Sequence, residues 1–563
     1  MKEKTTKISG DQHIKRLDAL KKKREPLERY WKEAYQYTFP MRGEKFSAPL
    51  NGAEALAGSA RSKQAEIFDI TAIDCVRTLA SALVSGSTPA NSRWVEITVP
   101  GVESDEAKKW LESASDVIWQ NIHASNYDVV AFEAMIDHVC SGMCCLITED
   151  GADIGKAYNF IQWPLYSCYF ADSKGSGRID TVYREFTLTA EQALTEYGSK
   201  ASADVKKLAS DKPDEAVEFV LAIYPRKKKE ISKFNLPFAS CHIEKKTKQI
   251  VREKGYHEQP FSVPRWLNIP DSVYALGPIS EAMPHIKSLN ELVRLILANM
   301  DMATAGMWGA LNDGVLNPRT VRVGARKIIP MASKESLFPL TPGTKFDASY
   351  LQRDTLQKEI RKLLFSDQLQ PQDGPAMTAT EVHMRVGLIR QLLGPAYGRY
   401  QVDGLTPFVE RCFGLAFRAG ALGQPPDEIM DKVSQIRYTS PLARAQRMED
   451  VNAMDRFEQG ILMKAQVKPE LLDVYDWEEA ERKRGGLLGV PQDLILSEKE
   501  TDKVRGERER KQSQAMQGQA MNDLMQGVAP EVVKGAMNSP DAMMQGGMPP
   551  EMAAILAGEQ NGS

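Results

Sequence analysis

The sequence lacks the long apolar runs that membrane proteins contain. No stretch in its 563 residues comes near the roughly 20 consecutive apolar residues that a helix needs to span a bilayer. The N-terminal segment MKEKTTKISGDQHIKRLDALKKKREPLERYW is charged and has no apolar centre of the kind found in secretory signals. We therefore expect no membrane association, and we expect the chain to stay in the cytoplasm where it is made.

Cysteine is too scarce and too irregularly spaced to form a disulfide framework. The chain holds seven cysteines, an odd number, and cytoplasmic proteins keep their thiols reduced. The best metal candidate is HVCSGMCCLI, in which His138 precedes Cys140, Cys144 and Cys145. Structural zinc usually draws on paired Cys-x-x-Cys motifs, and this single cluster has apolar surroundings. We interpret its cysteines as small buried side chains and expect no metal and no cofactor.

Motifs that carry catalysis are missing as well. The sequence contains no GxxxxGK[ST] phosphate loop, no GxGxxG after a strand, and no HExxH, GxSxG or EF-hand loop. Cys241 and His242 are adjacent, so on a strand they would point to opposite faces and make a poor catalytic pair. Two acidic pairs are interpreted as solvated edges: Glu149 with Asp150, and Glu478 with Glu479. We predict no catalytic residue and no enzyme.

Charges of the two signs are almost balanced. The 72 basic and 75 acidic residues give a formal net charge of -3, which excludes a strong attraction of the whole molecule for nucleic acid. Any contact with DNA must therefore be local. The length is too great for one hydrophobic core and predicts roughly three to five packing units.

Periodicity predicts a mixed α+β unit in the N-terminal half. Apolar residues at helical spacing predict helices over 13–37, 63–83, 105–125 and 128–140. The basic run KKKR, Lys21 to Arg24, is interpreted as a solvated helix face rather than as a contact for nucleic acid. Trp94 is expected to anchor the turn before the strand RWVEITV. Between residues 144 and 266 the pattern predicts short strands, with a hairpin across DSKGSG.

The pattern changes at residue 277. Two amphipathic helices are predicted over 278–302 and 350–365, each on the order of 25 Å long, with a glycine-rich, strand-like insertion between them. The apolar stripe of the second helix consists of Leu351, Leu356, Ile360, Leu363 and Leu364. Its basic residues lie on or near the opposite face: Arg353, Lys358, Arg361 and Lys362. On pattern alone they form a solvated face, whereas in a ring of such helices they would present positive charge to a lumen.

The stretch QLQPQDGPAMTATEVHMR, residues 368–385, interrupts the helical pattern with two prolines and a glycine. After it, Thr378 and Glu381 match the capping box, in which the hydroxyl and the carboxylate each satisfy an amide at a helix start. Helices are predicted from 378 to 393, through 400, over 407–419, and again from Ser440 and Pro441. The Met- and Gln-rich tail is expected to be disordered or marginally helical on its own.

Several longer stretches resemble one family of phage proteins. LASALVSGSTPANSRWVEI, NDGVLNP, MTATEVHMR followed by LLGPAYGRYQVDGLTPFVERCF, and SPLARAQR with GLLGVPQDLI occur in that family's order, up to about residue 510. On these stretches the chain is similar to the portal proteins, or head-to-tail connectors, of short-tailed phages. The resemblance implies a homo-oligomeric ring, typically a dodecamer, at one capsid vertex, through which double-stranded DNA passes without sequence specificity.

The same resemblance implies partners and a location. The large subunit of the packaging terminase would dock on the ring first and a tail adaptor later, and the major capsid and scaffolding proteins would be further partners. The protein would be found in the host cytoplasm during assembly and then in the virion. Two alternatives stay open: a vertex adaptor without a channel, and a virion-associated hydrolase with an unrecognised site.

The fold class implied by the resemblance is α+β: a mainly helical portal fold with a mixed α/β wing, a two-helix stem, a small α/β clip and a helical crown. The implied regions are the wing 1–277, stem helices 278–304 and 348–366, clip 305–347, tunnel loop 367–377, wing return helix 378–424, crown 425–512, and a tail 513–563 that is disordered or forms a C-terminal barrel. In the second stem helix, the basic residues Arg353, Lys358, Arg361 and Lys362 would line the channel. The tunnel loop would contain Gln368, Gln370, Pro371, Gln372, Asp373, Gly374 and Pro375, followed by the helix cap of Thr378 and Glu381. The clip would dock partners through Asn312, Asp313, Asn317 and Arg319.

Overall fold

A computed structural model of the protein describes residues 8–43, 46, 61–99, 104–152, 155–226, 236–305, 307–311, 315, 319, 329–340, 346–369, 394–430, 435–438, 441–465, 468–488, 490 and 501–516. Contacts divide the chain into two compact units, Met1–Gly489 and Val490–Ser563. Among the described helices, none is both long and apolar enough to cross a membrane.

Helices and strands are mixed along the first unit, as an α+β fold requires. Its longer helices, numbered in chain order, are α1 (Gly10–Gln36), α2 (Thr71–Ser87), α3 (Asp105–Ala124), α4 (Tyr127–Ser141), α5 (Ala190–Tyr197), α6 (Ala203–Asp211), α7 (Pro278–Ala305), α8 (Phe346–Leu363), α9 (Thr406–Arg418), α10 (Pro441–Ala465) and α11 (Trp477–Leu488). Its strands are β1 (Val95–Thr98), β2 (Cys145–Asp150), β3 (Tyr158–Trp163), β4 (Cys168–Ala171), β5 (Thr181–Thr189), β6 (Ala216–Pro225), β7 (Phe238–Glu244), β8 (Ile250–Tyr256), β9 (Phe261–Ser262), β10 (Leu267–Asn268), β11 (Ala275–Leu276), β12 (Met307–Ala310), β13 (Leu337–Leu340) and β14 (Gln435–Tyr438).

Helix α1 begins at a complete capping box. The Ser9 hydroxyl accepts from the Gln12 amide at 3.3 Å, and the Gln12 side chain accepts from the Ser9 amide at 3.0 Å. Amides at a helix start have no partner within the helix, so this exchange satisfies two donors at once. The helix then buries Leu17 and Trp31 completely, which fixes one face of α1 against the sheets.

The basic run in α1 is not uniformly solvated. Arg24 is only 3% exposed, and its guanidinium donates to the carbonyl oxygens of Leu165, Tyr166 and Cys168 at 2.6–3.0 Å. It also lies over the Tyr169 ring, 3.9 Å from the centroid. The prediction of a solvated face is therefore wrong for this residue. The carbonyl oxygens that surround it come from a distant part of the chain, which the local charge pattern does not reveal.

The helix predicted over 63–83 is interrupted, because residues 61–64 are helical, residues 65–70 are not, and α2 begins at Thr71. The Asn290 carboxamide accepts from the Phe68 amide at 2.7 Å and donates to the Glu66 carbonyl at 2.9 Å. The Asp69 carboxylate accepts from the Thr71 amide at 2.8 Å. Because these side chains satisfy backbone groups of Glu66, Phe68 and Thr71, the chain does not need continuous helical hydrogen bonds between the two helical segments.

Two larger antiparallel sheets form the β part of the unit. One has the strand order β3-β2-β9 and the other the order β4-β5-β6-β7-β8, so the predicted series of short strands is confirmed. The hairpin across DSKGSG is confirmed as well, with Ala171 opposite Thr181. In its turn the Asp172 carboxylate accepts from the amides of Gly175 and Gly177. Strand β1 pairs with the distant β14.

The hydrophobic cores lie where the helices cover these sheets. The largest core joins α1, α2, α4, α7 and α8 to both sheets and includes Trp31 and Ile360. A second core lies between β1, α3, α4 and α9 and contains the fully buried Trp94, which therefore anchors its turn as predicted. Two smaller cores hold α1 on one face of the five-stranded sheet, and α5 and α6 on the other.

After residue 277 the chain forms the two predicted helices, α7 and α8. Helices α7 and α8 are connected through the antiparallel pair β12–β13. Helices α10 and α11 are held together by Arg484, whose guanidinium contacts Asp455 at 3.2 Å, Glu481 at 2.6 Å, and Glu458. In the second unit, residues 501–516 form a single helix with exposed or half-exposed side chains. The predicted helix over 378–393 and the tail after residue 516 lie outside the described residues.

Candidate functional site

Helices α7 and α8 pack together and carry the basic residues to which the resemblance assigns a function. His285 Nε2 of α7 lies 3.2 Å from a carboxylate oxygen of Glu359 of α8. Apolar residues four positions apart give α8 and the turn after it one buried face, formed by Leu356, Ile360 and Leu364. That face is fixed against the core, so the orientation of every other side chain of α8 follows from the helical period.

Two of the four predicted basic residues lie on the side of α8 opposite its buried face. Each residue advances about 100° around a helix, which places Lys358 and Lys362 opposite Leu356 and Ile360. Both lysines are exposed. Neither has an ion-pair partner among the residues that the structure describes. Both ammonium groups therefore face the solvent without an ion pair from the described part of the chain.

The other two, Arg353 and Arg361, are half-buried. Arg353 pairs with Asp354 at 2.7 Å and lies over the Tyr350 ring, 5.1 Å from its centroid. Arg361 lies on the flank of α8 near Cys75 of α2. Burial raises the pKa of that thiol to about 11, and the charge of Arg361 opposes the rise. The predicted channel-lining role stays a prediction for all four residues, of which Lys358 and Lys362 are exposed.

Large apolar side chains are exposed where α7, α8 and the β12–β13 pair meet the solvent. Leu351 and Leu363, which the sequence pattern assigned to the apolar stripe of α8, are 70% and 39% exposed, so the buried stripe is narrower than predicted. Exposed apolar groups that lie together commonly mark a contact with another chain. The set comprises Leu295, Leu297, Met300, Trp308, Leu311, Phe338, Leu351 and Leu363.

Most of the other predicted site residues lie outside the described ranges. Arg319, from the predicted clip-docking set, is described and exposed, and Gln368 belongs to the short helix Ser366–Leu369. The residues outside the described ranges are Asn312, Asp313, Asn317, Gln370, Pro371, Gln372, Asp373, Gly374, Pro375, Thr378 and Glu381. Docking, tunnel-loop and capping roles therefore stay predictions.

The cysteines are buried side chains, as predicted. All seven are buried, and burial raises the pKa of the Cys140 thiol to about 12, which keeps it protonated. His138 lies beside the Trp266 and Tyr400 rings, and burial lowers its pKa to about 4. Within the described ranges, no group of three or more His, Cys, Asp or Glu side chains could hold a metal ion.

The sequence analysis judged two kinds of residue pair unsuited to catalysis, the adjacent Cys241 and His242 and the acidic pairs, and the structure treats them differently. Cys241 and His242 do point to opposite faces of β7, since Cys241 packs toward α1 while His242 Nδ1 lies 2.9 Å from the Tyr197 hydroxyl. Glu149, interpreted as a solvated edge, accepts from the Tyr256 hydroxyl at 2.7 Å, and burial raises its pKa. The solvated interpretation is therefore wrong for Glu149, whereas the other acidic pair is exposed as predicted.

A third carboxylate, Asp137, borders a groove of about 490 Å³ between α4 and β3. Burial raises the pKa of Asp137, as would suit a general base. Its oxygens, however, accept from the Tyr35 hydroxyl at 3.0 Å, from Arg42 at 2.9 Å and from the Gln162 amide. These contacts identify Asp137 as a structural anchor of the groove wall.

One ordered set of polar residues was not foreseen from the sequence. His123 Nδ1 lies 2.7 Å from the Asp128 carboxylate, and His123 Nε2 accepts from Trp94 Nε1 at 3.0 Å. An indole N–H can only donate, so Nε2 is unprotonated and Nδ1–H points at Asp128. A tryptophan stands where a catalytic dyad would hold its nucleophile. The set therefore fastens the turn before β1 to α3.

These observations define an α+β protein whose long helices expose apolar and basic side chains. The chain belongs to the bacteriophage head to tail connecting protein family, whose model matches residues 11–496. It is 25% identical over 534 residues to the probable portal protein of Bordetella phage BPP-1, covering 90% of this chain and 93% of that one. It is also 25% identical over 536 residues to the portal protein of Salmonella phage epsilon15, covering 90% and 92%. Among solved structures, a chain from the virion of a native gene transfer agent particle is 13% identical, with a TM-score of 0.33 over 75% of this chain and 90% of that one.

Proposed function

We propose that this protein is a phage portal, a homo-oligomeric ring at one capsid vertex that gives DNA its passage during packaging and ejection. The observation that carries the proposal is the family match over residues 11–496, together with two relatives named as portal proteins that align over 90% of this chain. The exposed apolar side chains of α7 and α8 support it, because a ring covers such surfaces with neighbouring subunits.

Within this ring we assign the regions that the resemblance implied. The wing takes residues 1–277 and the stem takes 278–304 and 348–366, which correspond to α7 and α8. The clip takes 305–347, where β12 and β13 pair, and the tunnel loop takes 367–377. The return helix within 378–424 includes α9, and the crown within 425–512 includes α10 and α11.

The partners follow from this arrangement. Double-stranded DNA moves through the channel, the terminase large subunit and later a tail adaptor dock on the clip, and the capsid and scaffolding proteins contact the wing. In the part of the clip that is described, the exposed Trp308 and Phe338 support a docking role, because aromatic side chains are enriched at protein interfaces. The assembled protein resides in the virion.

The charge of the chain suits a passage better than a binding site. Proteins that neutralise many phosphates hold DNA firmly, and such contacts would stall a moving duplex. A formal net charge of -3 leaves no overall attraction, and a few exposed lysines give only local contacts. We also assign no element that reads base edges, because packaging accepts every sequence.

Native mass measurement and negative-stain imaging of the purified full chain test this proposal. We expect a closed ring of about a dozen subunits with an axial hole, since one heterologous interface repeated by rotation closes a ring. A protein that stays monomeric or dimeric under all assembly conditions would contradict the proposal. A closed assembly without an axial hole would instead favour the vertex adaptor.

A further inference from the structure

Helix α8 has an outer strip that combines positive charge with an exposed leucine. Leu351, Thr355, Lys358 and Lys362 are all exposed, and their spacing of three and four residues places them on one face of the helix. The two lysines are one turn, or about 6 Å, apart. As shown above, neither has an ion-pair partner among the described residues.

Helix α7 has an outer strip of the opposite sign. Glu281, Ser288, Glu291 and Leu295 are exposed and lie opposite the buried face of α7. The Glu291 carboxylate accepts a hydrogen bond from the guanidinium of Arg294 in the same helix, at 2.6 Å. For Glu281, the described residues offer no ion-pair partner. This strip therefore presents acidic groups followed by an exposed leucine.

The two strips also match in height at one end of the helix pair. The helices run antiparallel, with His285 of α7 beside Glu359 of α8 and Met300 Sδ 3.8 Å from the Tyr350 hydroxyl. Lys362 of α8 and Glu281 of α7 each lie about one turn beyond the contact between His285 and Glu359. Both lie on the side of that contact where α8 ends and α7 begins. Rotation about an axis along the helices keeps each residue at its own height, so Glu281 of one subunit and Lys362 of the next lie at matching heights.

We propose that the acidic strip of α7 in one subunit docks on the basic strip of α8 in the next copy of this chain. Opposite charges fix which faces meet and at what height, while Leu295 and Leu351 lose their exposure to water. The inference rests on the proposed function, because it needs the ring. It assigns Lys358 and Lys362 to the contact between subunits, whereas the resemblance assigned them to the channel wall.

Two charge-reversed proteins test the docking. The first carries Lys358→Glu and Lys362→Glu, and the second carries Glu281→Lys and Glu291→Lys. In each of these proteins alone, the strips of α7 and α8 carry charges of the same sign, so every interface is repulsive. The fraction of protein in rings should therefore fall by at least about tenfold near physiological salt. Mixed one to one, they should restore rings in which the two proteins alternate, because every interface again joins opposite charges. Native mass spectrometry would then show equal numbers of both.

The matched control carries the same change in charge away from both strips, Lys200→Glu with Lys207→Glu at two exposed positions, and should form rings like the wild type. If the wild type forms no ring, the proposed function itself fails. If the wild type forms rings and each reversed protein does so alone, the docking is wrong while the portal proposal stands. A mixture that fails to restore rings also contradicts the docking. Salt near 1 M, where screening is strong, should partly rescue each reversed protein alone.

Discussion

At the scale of single residues, buried polar side chains join elements that are distant in sequence. Arg24 supplies donors to the carbonyl oxygens of Leu165 and Tyr166, before β4, and of Cys168, its first residue. Arg24→Met should lower the free energy of unfolding by about 3–5 kcal/mol, because those carbonyls are left buried without donors. Urea denaturation measures the loss. The exposed neighbour Lys23 gives a control, Lys23→Met, which should change stability by less than about 0.5 kcal/mol. Equal stability of the two variants would contradict this role of Arg24.

Two buried histidines predict how stability depends on pH. Burial lowers the pKa of His13 and of His138 from 6.5 to about 4. Between these values the folded chain binds fewer protons than the unfolded chain. The free energy of unfolding therefore falls as the pH drops from 6.5 toward 4. Each histidine accounts for roughly 3 kcal/mol of that fall.

Urea denaturation at about pH 7, 5.5 and 4.5 measures this dependence. His138→Gln removes one of the histidines whose pKa is lowered, so its stability should fall less steeply over this range than that of the wild type. His257 is exposed, and His257→Gln should keep the wild-type steepness. If all three proteins lose stability equally, the buried His138 is not a source of the pH dependence.

At the scale of elements, the turn after α4 depends on a glycine. Gly142 has a φ of +84°, and a Cβ on it would lie 2.2 Å from the carbonyl carbon of Leu276. Gly142→Ala should therefore cost at least roughly 3 kcal/mol, which combines backbone strain with a clash against main chain. Gly155 is a matched control, with a φ of +67° and no atom within 4 Å of its Cβ position. Gly155→Ala should cost only about 1–2 kcal/mol. Similar melting temperatures for the two variants would show that the close approach is not costly.

The helices also show what a local pattern can and cannot predict. The helix predicted over 278–302 is observed as α7, because its apolar period is set by its own residues. The helix predicted over 63–83 is interrupted before α2, where Asn290 satisfies backbone groups of Glu66 and Phe68. The pairing of β1 with β14 joins segments whose patterns carry no sign of each other. In the candidate site, the helical period suffices to predict that Lys358 and Lys362 are exposed. The half-burial of Arg361 depends on where α2 lies, which the sequence does not state.

At the scale of the whole molecule, the same two lysines have alternative roles in the proposed ring. Lining a channel requires them to face the axis, whereas the charge match with α7 requires them to face a neighbouring subunit. Charge reversal separates these roles, because a change on the channel wall alters DNA passage in rings that still form, while a change at the interface prevents the rings. The overall charge of the chain does not decide between them, since a local strip determines either contact.

The segment between α8 and α9 gives the last prediction. Residues 371–375, PQDGP, lie outside the described ranges, and in the proposed ring they belong to the tunnel loop. Deleting them should spare ring formation, because α7, α8 and the wing keep their residues, and should impair DNA packaging or retention, because the copies no longer reach the DNA. Imaging of rings measures assembly, and phage yield measures packaging and retention.

A Gly-Ser replacement of the same five residues keeps the length of the loop and removes its prolines. If this variant recovers the phage yield, the loss after deletion is due to the shorter loop. If the yield stays low, the loss is due to the missing stiffness of the prolines. Unchanged yield after the deletion would contradict a role of this loop in DNA passage.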